Sequence, residues 1–147
     1  MQRVLNVVLA AWMGSLWTVC GIVAPSMFAL LPERHIAGQV AGHFFRLEAW
    51  LGLALGSIVV LLVRRMGAKV SRLDFVLILT AVLAPLASEL VLHPLMDAAR
   101  QSSNMMRFGM LHGASALLFG IACLATLLLV WRLSALSKSA GLSLPNT

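Results

Sequence analysis

Four long apolar runs, at about 4–30, 44–63, 74–95 and 108–131, alternate with short polar stretches along the chain. Each is long enough to cross a hydrocarbon layer about 30 Å thick as a helix, which takes about 20 residues. A membrane strand would alternate polar and apolar positions, and these runs do not. The pattern predicts an all-α fold: an integral membrane bundle of four transmembrane helices over residues 1–133, followed by a flexible cytoplasmic tail over 134–147 that is rich in Ser and Gly and carries Pro145. The first run follows a short basic start, as a signal peptide would, but stays apolar through Trp12, Leu16 and Val23 with no polar mature start. It is expected to remain as the first span.

Between the second and third runs stand Arg64, Arg65, Lys69 and Arg72 with no acid among them. Basic loops face the cytoplasm, so this connection is expected inside and, with four spans, so are both termini. Of the Lys and Arg residues, seven then lie inside (Arg3, Arg64, Arg65, Lys69, Arg72, Arg132, Lys138) and four outside (Arg34, Arg46, Arg100, Arg107). The expected location is a bacterial inner (plasma) membrane. The outer connection Leu31–His43 carries Ile36, Ala37, Val40 and Ala41 at helical spacing and predicts a short interfacial helix. Met96–Arg107 reads as a polar outer connection.

Composition strengthens this picture. Of 147 residues, 61% are hydrophobic and 11% charged, with mean hydropathy +0.95; a water-soluble domain of this size needs about a quarter charged residues to cover itself. The net charge of +6 is spread between apolar runs rather than gathered with aromatics, so nucleic acid is not an expected partner. Cys20 and Cys123 both lie within apolar runs, where cysteine acts as a small hydrophobe. Gly52-x-x-x-Gly56 and Gly109-x-x-x-Gly113 predict close helix packing within the bundle. Pro85 is expected to free the Ala81 carbonyl and kink the third helix. Trp50 and Trp131 read as interfacial anchors, Trp12 and Trp17 as packing residues.

Ionisable groups inside spanning helices are costly and normally face the bundle interior or a wet cavity. The third run holds Glu89 and His93 four apart, with Asp97 four further on; the second opens with His43, Arg46 and Glu48; the fourth holds His112 and Ser115. All fall in the outer half. They predict an outward-facing polar pocket of Glu48, Glu89, His93, His112 and Ser115, with His43, Arg46 and Arg107 at its mouth. Such a pocket suits a metal site, with His93 and His112 as candidate ligands for copper or for a haem iron. It also suits a proton relay or a small-solute or lipid site. Beside these stands a purely structural reading, in which the charged groups tie helices together and the outermost side chains snorkel to the headgroups. No H-E-x-x-H, C-x-x-C or histidine-rich cluster assigns a metal, and Met105, Met106 and Met110 read as filler rather than copper ligands.

Leu31 to Phe45 (LPERHIAGQVAGHFF) and Arg107 to Ser115 (RFGMLHGAS), with Trp17, Pro25 and Phe28, resemble a bacterial four-helix family of unknown function related to the eukaryotic transmembrane protein associated with cisplatin resistance. The resemblance covers most of the chain and implies a four-span bundle without an established reaction. Relatives often carry Asn two turns after the histidine of the His-Gly-x-Ser segment; Phe119 stands there in this chain. A more distant likeness, of architecture, to copper-resistance membrane proteins and to a haem-pathway oxidase implies copper or haem. The expected function is a non-enzymatic membrane protein handling a metal ion or small solute at the outer pocket. The alternatives are a haem-binding redox enzyme and a ligand-free scaffold subunit. The expected partners are the lipid bilayer, the metal ion or solute, and a second copy of the chain.

Overall fold

In the computed structural model, residues 1–67 and 71–141 are described, with side chains through Ser134. Four long helices follow one another: α1 (Gln2–Leu30), α2 (Arg34–Arg65), α3 (Arg72–Gln101) and α4 (Met105–Gly141). Each carries a stretch long and apolar enough to cross a membrane, and among the described residues there is no strand. The all-α four-span reading therefore stands. Every helix packs on its sequence neighbours, and α4 closes the ring against α1. The ends meet as an antiparallel bundle requires: Gln2 at the start of α1 donates to the carbonyl of Leu133 near the end of the described α4 side chains, at 3.5 Å.

The helix termini follow from local chemistry. Gly67, at φ +59, closes α2 in the left-handed conformation that favours glycine. Ser71 and Asp74 form a capping box at the start of α3. The Asn104 side chain accepts from the amide of Arg107 at 3.0 Å and so caps α4. The tail expected over 134–147 falls largely outside the described side chains, and residues 142–147 fall outside the described residues altogether; Ala68, Lys69 and Val70 of the basic loop do too.

Two expectations about helix shape change. The segment Leu31–His43 does not form a separate interfacial helix: α2 begins at Arg34 and runs unbroken to Arg65. Ala37 and Ala41 share one buried face with Glu48, Ala49, Gly52, Gly56, Val59 and Val63, so the segment continues the packing face of the span and the helix does not break. The irregular winding falls at Pro25 and Pro94 rather than at Pro85, which lies buried within α-helical geometry. Just before each of these prolines the chain takes a wide π turn, Val19–Val23 in α1 and Ser88–Leu92 in α3. Proline has no amide to offer the carbonyl four residues back. In both places the preceding amide reaches five residues back instead, Ala24 to Val19 and His93 to Ser88.

The core is centred on Trp12, which is fully buried. The Gly52–Gly56 stripe of α2 receives its indole: a Cβ at Gly52 would sit 3.3 Å from Trp12 Nε1. The second glycine pair behaves otherwise. Nothing lies within 4 Å of a Cβ built at Gly109 or Gly113, and both residues are exposed, so this pair faces away from the bundle. Gly109→Ala and Gly113→Ala are expected to leave the midpoint of unfolding in mixed detergent and dodecyl sulfate unchanged or slightly raised, since alanine has the higher helix propensity by about 1 kcal/mol. A marked loss of stability would show that these glycines are packed.

Candidate functional site

Positions two apart on a helix point about 200° apart, so Arg46 and Glu48 leave α2 on opposite sides. The structure accordingly divides the candidate pocket residues among separate contacts. On the α2–α3 side, Arg46 Nε donates to Glu89 Oε1 at 2.6 Å. The Glu89 side chain is 12% exposed and that of Arg46 49%. One turn nearer the start of α2 and the end of α3, the His93 ring rests on Gly42, where a Cβ would lie 3.5 Å from Nε2. Nδ1 of His93 faces Asp97 Oδ2 at 3.5 Å. Arg46, Glu89, His93 and Asp97 thus line one seam between the start of α2 and the end of α3, with Glu89 carried on the π turn.

On the opposite side of α2, Glu48 is buried and accepts from Ser15 Oγ of α1 at 2.9 Å. Ser115 of α4 shares a 2.6 Å hydrogen bond with buried Ser88 of α3. His112 is exposed and stacks on Phe108 with centroids 6.1 Å apart, and the Arg100 guanidinium lies 4.8 Å from the centroid of the Phe108 ring. His43 lies exposed beside Phe44, and Arg107 is exposed at the start of α4.

Three sets of contacts escaped the sequence reading. Ser15 and Ser88 look like small neutral residues in apolar runs, and no spacing rule points to them. Asp74, at the start of the third run, is buried and accepts from Arg132 Nε at 2.6 Å; its position one turn after a basic loop was the available signal. Arg132 also donates to Ser71 Oγ at 3.1 Å, so the capping box of α3 is tied to α4. Trp17 of α1 donates from Nε1 to the backbone carbonyl of Cys123 on α4 at 3.3 Å, a contact invisible in residues far apart in sequence.

Of the two candidate metal ligands, His93 faces Asp97 through Nδ1 at 3.5 Å and His112 stands apart from it, against Phe108. Among the described residues no three His, Cys, Asp or Glu side chains come together as a metal site, whereas a closed zinc-type site takes about four ligands.

The helix count and the span lengths define a multi-pass, four-helix membrane protein. Within that class, the chain belongs to the family described as Domain of unknown function (DUF4149), which matches residues 7–104, from the first span to the turn before α4. No curated protein and no solved structure matches it.

Proposed function

We propose that this chain is a bacterial inner-membrane protein, with both termini in the cytoplasm, that holds a small polar solute on the α2–α3 seam of its outer half. The observation that supports this reading is the Arg46–Glu89 pair. Arg46 uses only its Nε on Glu89, and among the described residues its two terminal amino groups make no hydrogen bond. Its side chain is half exposed. A guanidinium presents a planar fork suited to a carboxylate or phosphate. Asp97, with its side chain 51% exposed, and His93 offer acceptor and donor groups one turn further out. The seam therefore suits a small organic acid or a zwitterion, with the acid group on Arg46 and an ammonium toward Asp97.

The test is thermal unfolding of the protein in lipid nanodiscs with glycine, glutamate, acetate, phosphate and zinc chloride in turn. A ligand that binds only the folded state raises the midpoint. One of the acids or zwitterions is expected to do so in the wild type and not in Arg46→Gln or Glu89→Gln. If every compound leaves the wild type unmoved while both variants are merely less stable, the pair is a structural tie and the solute reading is lost. Stabilisation by zinc alone would return the metal reading.

A further inference from the structure

At the other end of α2 and α3 from the solute seam, beside the basic connection, the two helices part around a groove of about 520 Å³. That is within the range of about 300–1,000 Å³ usual for small-molecule sites. Its apolar wall includes Val60 and Val63 from the last turns of α2 and Phe75 and Val76 from the first turns of α3. Val63 is buried, whereas Phe75 and Val76 are half exposed, so the groove has a packed floor and an open flank. Arg64 of α2 and Arg72 of α3 line the same groove. Both are exposed, and among the described residues neither guanidinium makes a hydrogen bond or an ion pair. Arg64 suits the C-terminal end of a helix. Arg72, however, stands at the N-terminal end of α3, where the helix dipole disfavours a cation, so helix stability does not account for it. Asp74, two residues on, does not oppose an incoming anion, because its side chain is buried and neutralised by Arg132 at 2.6 Å.

We propose that this groove holds one anionic phospholipid, with its phosphate between Arg64 and Arg72 and an acyl chain along Val60, Val63, Phe75 and Val76. A guanidinium meets phosphate oxygens through parallel N–H donors, and one from each helix clamps the headgroup from two sides. The apolar wall selects a lipid over a free phosphate ion, which gains nothing from it, whereas each buried methylene of an acyl chain does. Every membrane protein touches lipid on its outer surface. What distinguishes this place is that a groove between two helices coincides with an arginine from each of them. Basic pockets between spans on the cytoplasmic side bind anionic headgroups, and the connection beside this groove is the one expected on that side. A lipid seated there bridges α2 and α3.

This inference stands apart from the solute seam, which uses other residues. Its test is native mass spectrometry of the detergent-purified protein equilibrated with equal amounts of phosphatidylglycerol and phosphatidylcholine carrying the same acyl chains. The wild type is expected to retain one phosphatidylglycerol per chain, preferred over phosphatidylcholine by about thirtyfold, the scale of two arginines beside an anionic headgroup. Arg64→Gln with Arg72→Gln should abolish the preference, while Arg65→Gln, which removes a neighbouring exposed charge outside the groove, should keep most of it. Val76→Trp fills the groove from its exposed flank with both arginines in place, and should lose the lipid. Glycerol phosphate, the same headgroup chemistry without chains, should not compete at the lipid concentration. Equal retention of the two lipids by the wild type would overturn the proposal in favour of ordinary surrounding lipid, and competition by glycerol phosphate would overturn it in favour of a free-phosphate site. Both of these arms use the unaltered protein, so misfolding of a variant cannot produce either result.

Discussion

Gly56→Ala is expected to destabilise the bundle by about 3 kcal/mol, the upper end of what overpacking a core usually costs. A Cβ at this position would overlap Cγ2 of Val82 on α3 and lie 3.1 Å from Cη2 of Trp12 on α1. Three helices converge there, so no single one can retreat without opening the contact with another. Valine is stiff about its first side-chain bond, and Trp12 is fully enclosed, which leaves little room for local relief. The measurement is the free energy of unfolding in mixed detergent and dodecyl sulfate. Val82→Ala in the same chain removes the overlapping methyl and should recover more than half of the loss, giving a coupling energy well outside additivity. If the two substitutions simply add, Gly56 does not meet Val82 and this packing of α2 on α3 is incorrect.

Arg132→Ala should cost a similar amount, about 3 kcal/mol, at the low end for breaking a buried ion pair because the arginine side is partly wet. The Asp74 side chain is 3% exposed and that of Arg132 37%. Removing the guanidinium strands a carboxylate whose remaining partners are the Ser71 amide at 3.1 Å and hydroxyl at 2.7 Å. Adding Asp74→Asn removes the stranded charge while its amide oxygen can still accept from Ser71, and should restore most of the stability. The same unfolding titration reads both variants. An Arg132→Ala protein as stable as the wild type would mean that water or lipid headgroups already solvate Asp74, and that the pair does not hold α4 to α3.

Much of the architecture was legible in the order of residues. The number of spans, their helical character and the burial of Trp12 followed from run length and side-chain type, because a helix in lipid satisfies its own backbone and needs no information from elsewhere in the chain. Glu89, His93 and Arg46 were singled out by being costly where they stand, and the structure does bring these three together. The division of Glu48 from that group was decided by rotation about α2, which a shared position along the spans does not reveal. Of two glycine pairs with the same spacing, Gly52 and Gly56 face Trp12 while Gly109 and Gly113 face outward. The spacing alone says how closely a partner can approach, not whether one is there.

What the sequence by itself determined was each helix taken singly: its apolar length, its polar intrusions and its capping residues. What only the tertiary structure decided was which faces meet. Ser15 reaches Glu48, Arg132 reaches Asp74 and Trp17 reaches the Cys123 carbonyl because four rods of uniform apolar surface were rotated and staggered into one arrangement. In lipid the hydrophobic effect does not choose among such rotations, since tails and leucines are alike in polarity. The choice falls to shape at Gly52 and Gly56 and to the few buried polar groups that must find partners.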